Sequence, residues 1–173
     1  MTPFIKRMAT NPTTSVGVLL CILIVLAALL APYISPFDPL EQHIIDKLKP
    51  PSDIYWLGTD TYGRDVLSRV LWGARISLVV SVASISGALV VGGTIGMVSG
   101  YIGGRADLYI MQVMDVLLSF PSLILGLIVV ALLGPEMVNL IFAIGLTAVA
   151  PFARIARSPV LSMKERAFVE AGR

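Results

Sequence analysis

Four stretches of the chain consist mostly of apolar residues, and more polar segments separate them. The runs cover residues 16–31, 76–101, 108–133 and 138–152. At a rise of about 1.5 Å per residue, a helix of about 20 residues crosses a hydrocarbon core of about 30 Å. The second and third runs are longer than this, and the first and fourth are shorter. The pattern predicts an all-α polytopic membrane protein with about four transmembrane helices.

The composition agrees with a lipid environment. Hydrophobic residues make up 56% of the chain and charged residues 14%, with a mean hydropathy of +0.86, which is unusual for a soluble domain. The net charge of +2 is too small to favour nucleic acid as a partner. Cys21 and His43 are the sole residues of their types, so neither a zinc cluster nor an internal disulfide is expected. We predict no catalytic residue, metal site or cofactor.

The first run follows Lys6 and Arg7, an arrangement shared by secretory signal peptides and membrane anchors. A signal peptidase prefers small residues before its cleavage site, but Leu29 stands near the end of this run and Pro32 follows it. We therefore favour an uncleaved anchor. Residues 1–34 are assigned to an N-terminal tail and a first transmembrane helix.

Residues 35–75 are polar by comparison and contain several prolines, which allow only short elements. From Val66 onward the apolar residues share one helical face, close to the amphipathic side chain of Trp72. Asp65 and Arg69 are spaced to form an i,i+4 ion pair. We predict an external loop that carries a short helix at the membrane surface.

Small residues recur at every fourth position of the second run. They are Ser84, Ala88, Gly92, Gly96 and Gly100. This spacing gives a smooth stripe along one helix face, against which another helix can pack closely. The stripe predicts a helix-packing role for Gly92, Gly96 and Gly100, and sliding or gating movement along it is a further hypothesis.

The same run contains a near match to a phosphate-binding loop at residues 87–94. Gly93 stands where that motif requires lysine, and the surrounding residues are apolar. We therefore predict that this chain does not bind a nucleotide.

Asp115 is the one residue within the four runs that is charged at neutral pH, and Pro121 follows in the same run. An aspartate near a bilayer centre costs about 2.5 to 3.5 kcal/mol, so it should face protein or water. It could serve as a pathway or gate residue, or form an interhelical hydrogen bond near the headgroups. An enzyme built on Asp115 would need a second catalytic group, and none is nearby in sequence.

Pro121 predicts a kink in the third run, which suits either gating or packing.

The distribution of positive charge predicts the orientation. The N-terminal tail, the turn at residues 101–107 and the segment after Phe152 together hold eight lysines and arginines. The loop of residues 35–75 holds five. Because cytoplasmic segments are enriched in these residues, the N-terminus is expected in the cytoplasm.

Residues 76–173 are assigned to a membrane core of three spans that ends in a cytoplasmic segment. In the final part, residues 154–173, Ser158 and Pro159 suit a helix start after the fourth span ends around Pro151. The segment could be a contact surface for a protein partner. The alternative is an amphipathic helix held on anionic lipid by Lys164 and neighbouring cations.

Four stretches resemble the permease subunits of bacterial binding-protein-dependent ABC importers, in the dipeptide, oligopeptide and nickel group. They are WLGTDTYGRDVLSRVLWGARISL at residues 56–78, YIGGRAD at 101–107, DVLLSFPSL at 115–123 and ERAFVEAGR at 165–173. The resemblance implies an inner-membrane subunit that transports peptides or related small solutes, with nickel among the candidates. It also implies a second permease subunit, two cytoplasmic ATPases that hydrolyse ATP, and an external substrate-binding protein.

In that family a cytoplasmic loop carries a motif that begins Glu-Ala-Ala and docks on the ATPase. Glu170 and Ala171 match its first positions, Gly172 replaces the second alanine, and Arg173 is the last residue. The resemblance thus implies a partial coupling motif at these four positions. Family members have two further spans, so we expect an N-terminal portion or a truncated product. The alternative function is a non-transporting anchor or assembly protein, or an inactive truncated permease.

Overall fold

The computed structural model describes residues 11–164, which form two compact units that meet in sequence between Val79 and Val80. The regular structure of this range is helical, apart from one isolated β-bridge between Thr59 and Asp65. The α-helices are α1 (Pro12–Ile34), α2 (Val66–Ile102), α3 (Gly104–Ser119), α4 (Ser122–Leu133) and α5 (Met137–Lys164), and a 3-10 turn covers Ile44–Asp46. The predicted all-α class is confirmed.

Three helices of the described range are long and apolar enough to cross a membrane, namely α1, α2 and α5. The pair α3 and α4 also passes the same criteria when taken together, but its two members are bent by 88°. The pair is either one broken span or a re-entrant loop. The structure therefore supports three spans, or the predicted four if the bent pair counts as one.

The start of α2 corrects the prediction of a separate surface helix. The helix runs without interruption from Val66 to Ile102, a length of 37 residues or about 55 Å. The helical pattern after Val66 is present as expected, but it belongs to the same helix as the second apolar run. No proline lies between Trp72 and Ile76, so the backbone has no reason to break where the side chains change from mixed to apolar.

Asp65 precedes α2 and caps it. Its Oδ2 atom accepts hydrogen bonds from the backbone N–H of Ser68 at 2.8 Å and from the Ser68 hydroxyl at 2.6 Å. Arg69 instead contacts the carboxylate of Asp60. The predicted side-chain pair between Asp65 and Arg69 is wrong, because the unpaired N–H groups of the first helical turn use this carboxylate.

Asp60 organises the polar loop before α2. Its Oδ1 atom accepts the backbone N–H groups of Tyr62 at 2.8 Å and Arg64 at 3.1 Å, and its Oδ2 atom accepts Arg64 Nε at 2.8 Å. Burial raises the pKa of Asp60, but these hydrogen bonds outweigh burial and lower the pKa to about 2. The carboxylate is therefore ionised at neutral pH and ties the loop to the guanidinium of Arg69.

The second unit has a core of small and medium side chains contributed by α2, α3 and α5. Its buried members are Ala88, Met114, Val149, Ala150 and Ala153. Alanine dominates this core, so the helices that contribute to it can approach closely. The packing of this unit therefore depends on backbone proximity more than on large interlocking side chains.

The prolines of the second unit behave in two ways. Pro151 and Pro159 lie inside α5, which continues through both, so the expected end of the fourth span near Pro151 and the new start at Ser158 are wrong. Each proline removes one donor while the flanking helical bonds remain, a loss that membrane helices tolerate when neighbouring elements support them.

At Pro121 the helix breaks completely, which is a larger change than the predicted kink. Phe120 adopts an extended conformation with φ −86° and ψ 133°, and α4 begins at Ser122. A proline disfavours helical geometry in the residue before it, which explains why α3 ends here. Pro121 therefore lies at the 88° bend between α3 and α4.

Candidate functional site

The small-residue stripe of α2 faces α5 throughout its length. The Ser84 hydroxyl donates a hydrogen bond to the carbonyl of Ile141 at 3.0 Å. Farther along, Gly92 faces the backbone of Val149, Gly96 faces that of Ala153, and Gly100 faces Arg157 and Val160. The partners on α5 recur at the same interval of four residues as the stripe. The two helices are therefore parallel and in register.

This contact leaves no room for side chains on the two central glycines. A Cβ atom on Gly92 would overlap the carbonyl oxygen of Val149, and one on Gly96 would overlap that of Ala153. A Cβ on Gly100 would lie 3.2 Å from the carbonyl oxygen of Arg157. The helices thus meet backbone to backbone. Whether the glycines also permit sliding stays a prediction.

Asp107 connects three helices through one carboxylate. Arg157 of α5 donates from Nε to Oδ1 at 2.6 Å and from Nη2 to Oδ2 at 2.5 Å. Ser99 of α2 donates its hydroxyl to Oδ1 at 2.5 Å. The Asp107 side chain is 10% exposed and that of Arg157 33% exposed, while Ser99 is fully buried. We call Ser99, Asp107 and Arg157 the Asp107 joint.

A second ion pair lies between the same two helices, α3 and α5. Arg154 Nη2 is 2.5 Å from Asp115 Oδ1, and the two side chains are 54% and 57% exposed. Exposed pairs contribute about 0 to 1 kcal/mol, whereas removing one partner of a buried pair costs about 3 to 5 kcal/mol. The Asp107 joint is therefore expected to be the costlier of the two pairs to break. Asp115 forms an interhelical contact, and a gating role for it stays a prediction.

An open groove of about 470 Å³ runs beside both carboxylates. It is lined by Gly104, Asp107, Leu108, Met111, Gln112, Asp115 and Arg157. Within residues 11–164, no three histidine, cysteine or acidic side chains come together as a metal site would require. The groove therefore presents polar side chains, but in the described residues these do not form a cluster of metal ligands.

Lys164 attaches the end of α5 to the end of α2. Its Nζ atom donates to the backbone carbonyl of Tyr101 at 2.9 Å, one of the terminal carbonyls that the helix itself leaves unpaired. Together with Arg154 and Arg157, it accounts for three of the cations in the segment predicted as a basic contact surface. These three side chains are thus engaged within the chain.

Sequence reasoning missed Asp107 and Ser99 as functional candidates. It assigned Asp107 to a polar turn, and Ser99 lies between stripe positions. The arginines near the end of an apolar stretch could have indicated these residues, because cations at such positions need polar or acidic partners. The coupling candidates Glu170, Ala171, Gly172 and Arg173 lie outside the residues that the structure describes.

The long apolar helices define the chain as a polytopic helical membrane protein. Its residues 92–173 match the family described as binding-protein-dependent transport system inner membrane component, and residues 3–51 match the N-terminal TM domain of oligopeptide transport permease C. The first match begins at Gly92 and includes the whole Asp107 joint. The helix packing described above therefore lies largely within the family segment.

Curated relatives cover nearly the whole chain. The dipeptide transport system permease protein DppC of Alkalihalophilus pseudofirmus is 36% identical over 168 residues, which are 97% of this chain and 55% of the relative. The di/tripeptide permease protein DppC of Pseudomonas aeruginosa is 38% identical over 176 residues, covering 98% and 58%. The nickel permease protein NikC of Escherichia coli is 40% identical over 151 residues, covering 87% and 54%.

Over residues 3–51 and 92–173, this chain therefore belongs with the inner-membrane components of binding-protein-dependent transport systems. The resemblance drawn from its sequence motifs is confirmed. It is accordingly a multi-pass membrane protein. The chain spans little more than half the length of the curated relatives that it matches.

Proposed function

We propose that this chain forms part of the membrane pathway of a bacterial ATP-driven importer, as a permease subunit for peptides or related small solutes, nickel included. The observation that carries the proposal is the family match over residues 92–173, a segment in which α2, α3 and α5 pack through the glycine stripe and the Asp107 joint. The printed names of relatives, which concern dipeptides, di/tripeptides and nickel, support this range of substrates.

The proposed partners are a second permease subunit, two cytoplasmic ATPases and an external binding protein that delivers the substrate. ATP hydrolysis belongs to the ATPases in this proposal, and this chain contributes motion and a pathway. Family membership supports the arrangement. Within the chain, Glu170, Ala171, Gly172 and Arg173 are the residues proposed to begin the coupling contact, on the basis of their match to the family motif.

In the proposed orientation the N-terminus is cytoplasmic in a bacterial inner membrane. The excess of lysine and arginine in the N-terminal tail, around Arg105 and after Phe152 supports it. The turn at Gly103 and the end of α5 then lie on the cytoplasmic side, where the ATPases act. Chemical labelling of a cysteine introduced at position 105 tests this orientation.

The proposed mechanism is mechanical. Closure of the ATPases would move the chain that follows Lys164, and α5 would carry this movement to α2 and α3. Rigid movement of packed helices is an established way of opening a pathway alternately to its two sides. The bend at Pro121 is the proposed flexible point of the pathway, because the helix is already interrupted there.

Uptake by whole cells tests the proposed function. A strain that lacks the gene for this chain is expected to lose ATP-dependent uptake of a labelled dipeptide, a labelled oligopeptide or nickel ion by at least about tenfold, and re-expression should restore it. Uptake of all three that is unchanged by the deletion would contradict the proposal. If the tagged chain co-purified with importer subunits while uptake stayed unchanged, the non-transporting anchor would be the better function.

A further inference from the structure

The Asp107 joint ties together the parts of three helices that lie closest to the turn at Gly103. Ser99 belongs to the last turn of α2 and Asp107 to the first turn of α3. Arg157 contacts both oxygen atoms of the Asp107 carboxylate, and Ser99 contacts one of them. Because this bidentate geometry fixes direction as well as distance, α5 cannot turn about its axis without breaking the joint.

The backbone contact beside the joint restricts movement along the axis. Gly96 faces the backbone of Ala153, and Gly100 faces Arg157 itself. A shift of α5 by one turn would displace Arg157 from Asp107 by about 5.4 Å. The Lys164 contact with Tyr101 adds another attachment at the end of α5. Movement of this end is therefore passed to α2 and α3.

The pair of Asp115 and Arg154 provides a matched comparison, since it joins the same two helices, α3 and α5. It has a single contact, and both side chains are more than half exposed. The Asp107 joint has three hydrogen bonds and a nearly buried carboxylate. The two aspartate–arginine pairs thus differ in burial and geometry. The pair of Asp107 and Arg157 is the one suited to transmit force between α5 and α3.

We propose that Arg157 is a positioning residue for transport, acting through Asp107 and Ser99 to fix the end of α5 to α2 and α3. Force applied to the chain after Lys164 then moves the three helices as one body. The inference rests on the proposed function, because it assigns this connection to the coupling between ATP hydrolysis and substrate movement. Without the joint, the ATPases would continue to turn over while the pathway responds weakly.

The test compares neutral pairs, which leave no single charge buried. The complex is purified from membranes through a tag on this chain, and ATP hydrolysis and substrate uptake are measured after reconstitution into liposomes. Asp107→Asn with Arg157→Gln is expected to lower uptake per ATP hydrolysed by at least about tenfold. Asp115→Asn with Arg154→Gln should lower it by less than about threefold. The charge exchange Asp107→Arg with Arg157→Asp should recover at least about a third of the ratio.

The ratio of uptake to hydrolysis separates positioning from assembly. A purely structural role would reduce the amount of complex and leave this ratio unchanged, which would overturn the inference. Equal losses in the two neutral pairs would also overturn it. If the neutral Asp107 pair yielded no complex, uptake per ATP is measured with Arg157→Lys, which keeps the charge but lacks the bidentate geometry. An unchanged ratio would overturn the inference, and a reduced ratio would support it. No uptake by the unsubstituted complex would instead contradict the proposed function.

Discussion

Replacing Gly96 by alanine is expected to destabilise the second unit by about 3 kcal/mol, although alanine is ordinarily the better helix former by about 1 kcal/mol. The added Cβ would overlap the carbonyl oxygen and the carbonyl carbon of Ala153. These are backbone atoms of a packed helix and cannot rotate away as a flexible side chain can. The whole of α5 would have to move outward, which would also pull Arg157 away from Asp107.

Gly87 on the same helix provides the control, because a Cβ there would meet no atom within 4 Å. Both variants are expressed in membranes, solubilised in mild detergent and heated, and the fraction that remains monodisperse is followed. Gly87→Ala should match the parent, while Gly96→Ala should lose its folded fraction at markedly lower temperature. Leucine at position 96 should prevent assembly and transport. Equal thermal stability of Gly96→Ala and Gly87→Ala would show that α2 and α5 are not in contact as described.

Replacing Arg157 by methionine is expected to destabilise the chain by about 3 kcal/mol. This is the low end for a broken buried ion pair, because the Arg157 side chain is one-third exposed. The substitution leaves the Asp107 carboxylate buried with Ser99 as its remaining partner. Methionine keeps an aliphatic side chain of similar length, so the loss reports on the charge and the hydrogen bonds.

The matched control is Arg154→Met, for which we expect a change of about 0 to 1 kcal/mol because its pair with Asp115 is exposed. Unfolding of both variants is followed in detergent by titration with a denaturing detergent. Adding Asp107→Asn to Arg157→Met should recover much of the lost stability, since it removes the unpaired charge. Similar losses for the two arginine variants would contradict the difference between the two pairs.

The glycine stripe was predictable because its spacing is a local property of one helix. The face of α5 that contacts the stripe was not predictable. The residues of α5 that face it include Val149 and Ala153, and an apolar helix surface carries no mark that distinguishes a protein neighbour from lipid. Sequence periodicity therefore located one half of the contact, and the three-dimensional structure was needed for the other half.

The boundaries of helices were less predictable than their existence. The change from mixed to apolar side chains near Ile76 suggested two elements, but the backbone of α2 is continuous there. Pro151 and Pro159 lie within α5, while Pro121 separates two helices at an 88° bend. The three prolines are chemically the same, so the difference depends on whether neighbouring elements hold the two sides of each proline in line.

The Asp107 joint shows why the candidate site was only partly predictable. Asp107 and Arg157 are separated by 50 positions in sequence, and no local pattern connects them. Asp115 attracted attention because it lies inside an apolar run, yet its pair with Arg154 is the more exposed one. Burial of a charged pair depends on tertiary packing, which the sequence of one helix does not encode by itself.

Coupling through Arg157 requires that the Asp107 joint lie on the side of the membrane where the ATPases act. Its most direct test uses a Cys21→Ser background and a thiol reagent that does not cross membranes. In spheroplasts, Lys47→Cys should be labelled, while Arg105→Cys, two residues from the joint, should be labelled only after permeabilisation. Labelling of Arg105→Cys in sealed spheroplasts, with Lys47→Cys protected, would place the joint on the outside and contradict its proposed role in coupling.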